Sequence, residues 1–194
     1  MVPLPDFEAE QPAADSLRGQ LLIATPTLTD PNFARSVVLI AEHSEDGAMG
    51  LVLNRPLGVL VADAVEPLAA LVDADAAVYQ GGPVEPQAVL ALAEFTDPSD
   101  AVSLAFDEIG FVSSDPDVET LRAAVRQARV FAGYAGWSPG QLEEELAEDA
   151  WIVEPARGAD VFTDDADELW ANVLRRRGAV GTMLAMMPQD PSVN

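Results

Sequence analysis

The segment GQLLIATPTLTDPNFARSVVLIAEHSEDGAMGLVLNRP, residues 19–56, constrains the fold more than any other part of the chain. It holds three short apolar runs, at 21–24, 37–41 and 50–53, each rich in Leu, Ile and Val and each followed by turn chemistry. That length and composition read as strands. Ser44-Glu45-Asp46-Gly47 joins the second run to the third and ends in Asp-Gly, which suits an antiparallel hairpin. Residues 25–33 contain Pro26 and Pro31 and are too many for a tight turn, so they are expected to form an ordered loop over the sheet. Asn54-Arg55-Pro56 is expected to stop the third strand. Three strands in succession, with no helix between them, argue for α+β with a mixed, largely antiparallel sheet and against a doubly wound parallel one.

The rest of the chain adds helices and further strands. Residues 61–72 are helix-like but hold Pro67, which splits them into one or two short helices. A short strand at 76–80 runs into Gly81-Gly82-Pro83, and strand-length apolar runs follow at 88–95, 102–106 and 109–113. Asp115-Pro116 is the expected start of a helix with Val118, Leu121, Val125 and Ala128 as its apolar stripe. Glu119, Arg122, Arg126 and Arg129 would face water. A buried strand at 130–134 then leads through a glycine-rich corner around Gly136 into a helix, with Ser138 and Gln141 as a capping box and Pro139 at the first helical position. After a strand at 151–154, the last helix begins near Asp164 and Asp165 and ends in Arg175-Arg176-Arg177-Gly178, as the helix dipole favours. Leu169, Trp170, Val173 and Leu174 form its core face, and beyond Gly181 the chain is expected to fray. The organisation is a tail over 1–17, one domain over 18–187 and a polar tail over 188–194.

Composition removes several classes of chemistry. There is no cysteine, so disulfides, thiolate catalysis and cysteine-bound metals are excluded. A single histidine, His43, cannot supply a multi-histidine metal site. Carboxylates leave a hard cation open, although no Asp-x-Asp-x-Asp loop occurs. We expect no cofactor and no bound metal. Thirty-three acids face ten basic residues, all arginine, for a formal charge of −23. That balance opposes direct binding to nucleic acid or an anionic membrane. No apolar run approaches the about 20 residues of a membrane span, and residues 1–15 lack the basic-then-apolar order of a secretory leader. The expectation is a cytoplasmic protein, monomeric or weakly oligomeric.

Polar residues after strands are the candidates for function. His43 ends the second strand and reads either as a proton shuttle or as a residue bonded to local backbone. Asp30 and Arg35 flank Pro31-Asn32-Phe33. Asp30 suits an Asx turn, and Arg35 suits either loop carbonyls and Asp30 or an anionic ligand, as does Arg55. Gly81-Gly82 lacks the lysine and the spacing of a phosphate loop. Tyr134 and Trp137 would line a pocket or anchor the corner, with anchoring favoured. Glu143-Glu144-Glu145 reads as a solvated helix face.

Taken together, the motifs resemble those of the YqgE/AlgH family. They run in order: Gly19-x-Leu-Leu-Ile-Ala-Thr-Pro; Asp30-Pro31-x-Phe33-x-Arg35-Ser36-Val37; His43; Gly47-Ala48-x-Gly50-Leu51-Val52-Leu53-Asn54-Arg55-Pro56; Tyr79-x-Gly81-Gly82-Pro83; and Gly133-Tyr134-Ala135-Gly136-Trp137-Ser138-Pro139-Gly140-Gln141. The resemblance implies a bacterial cytoplasmic protein whose bent sheet curls into a partial barrel, with no established activity or cofactor. Some members are labelled transcriptional regulators. By motif position it marks Asp30, Arg35, His43, Asn54, Arg55, Gly81, Gly82, Tyr134, Trp137 and Gln141 as candidate ligand-binding residues.

The leading reading is a non-enzymatic regulatory or adaptor domain that binds an unidentified protein or small molecule. A second is an enzyme using His43, Asp30 and Arg35 or Arg55 on a small anionic substrate. A third, opposed by charge, is a transcriptional regulator acting directly on DNA.

Overall fold

The computed structural model describes residues 16–114 and 117–188. β1 (Gln20–Ala24), β2 (Val37–Ser44) and β3 (Gly47–Val52) form the expected antiparallel meander, with Leu22 opposite Val38 and Leu39 opposite Leu51. Only Glu45 and Asp46 lie between β2 and β3, so the hairpin is tight.

Then follow β4 (Pro56–Leu60), α1 (Val61–Ala64), a 3₁₀ turn (Glu66–Leu71), β5 (Ala77–Gln80), β6 (Val84–Phe95), a second 3₁₀ turn (Pro98–Asp100), β7 (Leu104–Phe106) and β8 (Ile109–Phe111). The remaining elements are α2 (Val118–Ala124), β9 (Val125–Trp137), α3 (Gln141–Ala147), β10 (Trp151–Pro155), α4 (Gly158–Val161), α5 (Ala166–Arg175) and α6 (Gly178–Ala185). The strands order as β10-β1-β2-β3-β9-β6-β8-β7, with β4 and β5 as a side pair joined to β9. Every pairing is antiparallel except β5 with β9. The expected α+β class holds: a large, mainly antiparallel sheet, not closed, flanked by helices. It bends until the β7 end approaches the β1–β2 end, where Arg18 donates to the Leu104 carbonyl and Ser103 Oγ lies 3.5 Å from Glu42 Oε1.

Alternation along β1 and β2 sorts side chains onto two faces. Leu21, Ile23, Val37 and Leu39 face one core with Val161, Leu169, Trp170 and Val173 of α4 and α5. Leu22, Ala24, Val38 and Ile40 face the other, covered by Leu28 and Phe33 of the 25–36 loop and by Leu142 of α3. The loop does lie over the sheet. A third cluster packs the β6–β9 region against Leu68 and Leu71 of the first 3₁₀ turn and Leu121 of α2.

Several expectations are corrected. Pro56 opens β4 instead of only ending β3; proline at the first position of an edge strand costs no ladder bond. The expected helix start at Asp115-Pro116 lies outside the described residues; Asp117 caps α2, its carboxylate accepting from the Thr120 N–H. α2 stops at Ala124, so Val125, Arg126, Ala128 and Arg129 belong to β9. Arg126 there bonds Glu94 and the Phe95 carbonyl, and Arg129 stacks on Tyr79 with 4.2 Å from its guanidinium carbon to the ring centroid. β9 runs straight through Gly136, and the turn falls at Ser138–Gly140, where Gly140 takes φ +78° before α3. The chain beyond Gly181 does not fray at once but continues α6 to Ala185.

Candidate functional site

The candidates at the start of β2 build one tightly bonded loop. Asp30 Oδ1 accepts from the Asn32 N–H at 2.8 Å, the Asx turn expected, and its carbonyl accepts from Phe33 and Ala34. Asn54 works as a backbone substitute. Its Oδ1 accepts from the Val37 N–H at 2.9 Å, and its Nδ2 donates to the Arg35 carbonyl at 2.9 Å. Arg55 donates to the carbonyls of Pro31 at 2.9 Å and Ala34 at 3.1 Å. Burial pulls its guanidinium below the ordinary arginine range, and nearby Asp30 acts against that. Arg35 does not turn to this loop or to Asp30. It enters β2 from a left-handed backbone position at φ +55°, lies 4.6 Å from the centroid of Trp170, and donates to the Met187 carbonyl just past α6.

Gly81 and Gly82 sit where β5 turns toward β6 against β9. A Cβ on Gly81 would lie 2.1 Å from the Gly133 carbonyl oxygen, and one on Gly82 would lie 2.2 Å from the Tyr134 carbonyl carbon. Two backbones cross here with no room for a side chain, which accounts for the glycines without an anion. Tyr134 is half-buried beside this crossing. Burial, with a smaller contribution from Glu85, pushes its phenol above the ordinary tyrosine range.

His43, Trp137 and Gln141 gather at the other end of β2. His43 Nδ1 accepts the Leu17 N–H at 2.9 Å, which places the ring proton on Nε2, and Nε2 donates to Glu143 Oε1 at 2.8 Å. The histidine ties the approach to β1 onto α3. Gln141 Oε1 accepts from the Ser138 N–H at 3.1 Å and its Nε2 donates to Glu145 Oε1 at 2.9 Å. The expected capping box is not formed: Gly140, not Ser138, is the N-cap, and Pro139 lies before the helix. Trp137 is buried and donates to Glu145 Oε2.

The ten candidates therefore fall into three groups: Asp30, Arg35, Asn54 and Arg55 at the start of β2, Gly81, Gly82 and Tyr134 at the crossing of β5 and β9, and His43, Trp137 and Gln141 at the end of β2. Val37 and His43 are six residues apart on β2, about 20 Å of strand, and the bonding partners of His43 differ from those of Asp30, Arg35 and Arg55. This separation takes away the geometry a joint catalytic use of them requires. Phe33, from the loop that carries Asp30 and Arg35, stacks on Trp137 at 6.1 Å. A cleft of about 250 Å³ lies elsewhere, lined by Leu71, Asp73, Arg122, Arg126 and Gln127 among others and by none of the ten. Among the described residues, no three His, Asp or Glu side chains group as a metal site requires. Nor does any described helix have the length and apolarity to cross a membrane.

The family model described as AlgH-like (DUF179) matches residues 21–180. The chain belongs to the AlgH-like family. A UPF0301 protein of Streptomyces avermitilis is 44% identical over 185 residues, covering 92% of this chain and 96% of its own. One of Mycobacterium tuberculosis is 40% identical over 189 residues, with 94% of each chain covered. Among solved structures, protein DIP2367 of Corynebacterium diphtheriae superposes with a TM-score of 0.83 at 30% identity, covering 92% of this chain and 96% of that one. The AlgH protein of Pseudomonas aeruginosa superposes at 0.69 with 32% identity, covering 92% and 98%.

The AlgH-like chain also holds functional-looking residues that reading the sequence missed. Of the acids expected as a solvated face, Glu143 and Glu144 are exposed, Glu143 also binding His43, but Glu145 is half-buried and holds two indoles and Gln141. Glu42, in the middle of an apolar strand sequence, sits at a register shift in the β2–β3 ladder. Its Oε2 is buried without a hydrogen bond, and burial raises its pKa to about 7 against the opposing pull of Arg18 and Ser103. A lone acid inside Val-Val-Leu-Ile-Ala-Glu was the available signal. The arginine run is matched residue by residue: Arg175 with Glu168, Arg176 with buried Asp160 and Arg177 with Glu154.

Proposed function

We propose that this AlgH-like chain is a non-enzymatic regulatory or adaptor domain whose ligand is another protein. The observation that carries this reading is α6. Val180, Met183 and Met186 are 67%, 71% and 78% exposed, an apolar strip along α6 and its C-cap. Exposed apolar strips on folded domains mark contact surfaces, and methionine, unbranched and polarizable, adapts to partner shapes. Arg35, a candidate from the polar loop, fastens the end of α6 through the Met187 carbonyl. The loop thus acts as a mount for the strip, while its own polar groups are spent on internal bonds. The arginine run beside α6 is already matched to carboxylates, which favours a protein ligand over a phosphate backbone.

A pull-down from the host lysate tests this. Wild type, the Met183→Asp, Met186→Asp double variant and a Val102→Asp control, altered at a residue 57% exposed far in sequence from α6, are compared. A specific partner is recovered by wild type and control and lost with the double variant. Equal recovery by all three overturns the reading.

A further inference from the structure

Among the described residues, β4 has one strand neighbour, β5, with which it pairs in a register that shifts between Pro56 and Leu60, and all five of its residues are exposed. Leu57, Val59 and Leu60 keep 37%, 46% and 39% of their surface in water, and a Cβ added to Gly58 would meet nothing within 4 Å. The free side of such a strand presents backbone N–H and C=O groups that a further strand can take up. Proteins that do not use an edge protect it with charged side chains, proline or a covering element. β4 carries no charge, and its one proline stands at the first position, leaving the later residues open.

The surroundings say what kind of strand fits. Between Pro56 and Gln80 there are four acids, Asp63, Glu66, Asp73 and Asp75, and no basic residue. All four are exposed. Asp63 lies on α1, which continues directly from β4, and Asp75 precedes the β5 strand that pairs with it. Asp73 lines the cleft that holds Arg122 and Arg126, which leaves Asp63, Glu66 and Asp75 as the exposed acids between β4 and β5 outside that cleft. A second copy of the chain would bring the same formal charge of −23 to the edge, and like charge opposes that pairing. A basic segment is drawn to it.

We infer that the free edge of β4 accepts an extended, lysine- or arginine-rich segment of a partner protein as an added strand. Backbone hydrogen bonds supply the affinity, Leu57, Val59 and Leu60 the apolar contact, and the flanking acids the preference for basic side chains. This surface is separate from α6 and does not depend on the reading given for it.

The test is an amide-resolved NMR titration of the full chain with a short capped peptide of alternating Lys and Val, and with its Glu-for-Lys counterpart. The basic peptide is expected to shift the amides of 57–60, to slow their exchange, and to bind at least about tenfold more tightly than the acidic one. Val59→Lys, an edge-protecting change at an exposed site, should weaken it about tenfold, while Val102→Lys, the same change at an exposed site outside β4, leaves binding intact. The spectra themselves report whether each variant is folded. Equal affinity for both peptides, no binding, or shifts that leave 57–60 unmoved overturn the proposal. Shifts confined to α6 overturn it while leaving the α6 reading in place.

Discussion

Trp137 and Trp151 donate their indole N–H groups to the same oxygen of Glu145, at 2.9 and 2.7 Å, with their rings edge to face at 6.2 Å. Phe33 from the 25–36 loop packs against both rings. One carboxylate thus sets the positions of two buried indoles and, through Phe33, the seat of the loop.

Glu145→Ala leaves two buried donors without an acceptor and should cost about 2–3 kcal/mol. Glu145→Gln keeps one acceptor oxygen and should cost about 1 kcal/mol. Urea unfolding followed by tryptophan fluorescence measures both and reports the altered indole environment directly.

Glu42 makes stability depend on pH in an unusual direction. Its carboxyl titrates near 4.5 when unfolded and about 7 when folded. Between those values the folded chain holds the extra proton, so this group's contribution falls as pH rises from 4.5 to 7 and is lowest above 7. Glu42→Gln removes that slope. Relative to wild type, the variant should gain about 1 kcal/mol between pH 5 and pH 8, a figure reduced for the part of the side chain that stays in water. Unfolding midpoints of the pair at the two pH values decide it, and an equal difference at both sinks the assignment.

Asn54→Ala should cost about 2–3 kcal/mol, because both the Val37 N–H and the Arg35 carbonyl lose their partner. Hydrogen exchange should accelerate at Val37 first, before the rest of β2.

Asp160 is 2% exposed and meets both terminal nitrogens of Arg176 while accepting the Arg157 N–H. Asp160→Asn leaves a cation facing a neutral group in a buried setting, and a loss of about 3 kcal/mol is expected. Replacing both partners by apolar residues should recover much of it. Thermal unfolding of Asp160→Asn and of the doubly apolar variant provides the comparison.

Gly81→Ala places a methyl 2.1 Å from the Gly133 carbonyl oxygen, so the chain should lose more than about 4 kcal/mol or fail to fold. Gly58→Ala, where the methyl meets nothing within 4 Å, is the matched control and should change stability by less than about 1 kcal/mol. Soluble yield and denaturation curves separate the two.

How far the sequence could be read depended on whether local pattern and tertiary pairing agreed. They agree at β1, β2, β5 and β10, where short apolar runs bounded by turn residues became strands within a few residues of the expected ends. They conflict at Val125 and Ala128. Their spacing from Val118 and Leu121 is helical, yet pairing of Ala128 with Ala93 and of Val130 with Ala91 holds the segment in β9. α6 was hidden because Gly178 and Gly181 weaken helical propensity. Gly181 is in fact where α6 crosses α5, a Cβ there falling 1.9 Å from the Leu174 carbonyl oxygen. At the site, motif positions pointed to residues with structural work to do, but not to their division among the two ends of β2 and the crossing of β5 and β9. Glu145 escaped notice because three acids at a helix start already have an explanation in the helix dipole.

β1 is held on its outer side by β10, with Gln20 opposite Pro155, and β3 by β9, with Ala48 opposite Trp137. On the ribosome, the opening meander emerges long before either flanking strand exists. Its bare sides must wait for most of the translation time, a delay that slows maturation and gives chaperones a defined target. Nascent chains truncated before residue 125 should therefore engage holdases, and those that extend beyond β10 should be released.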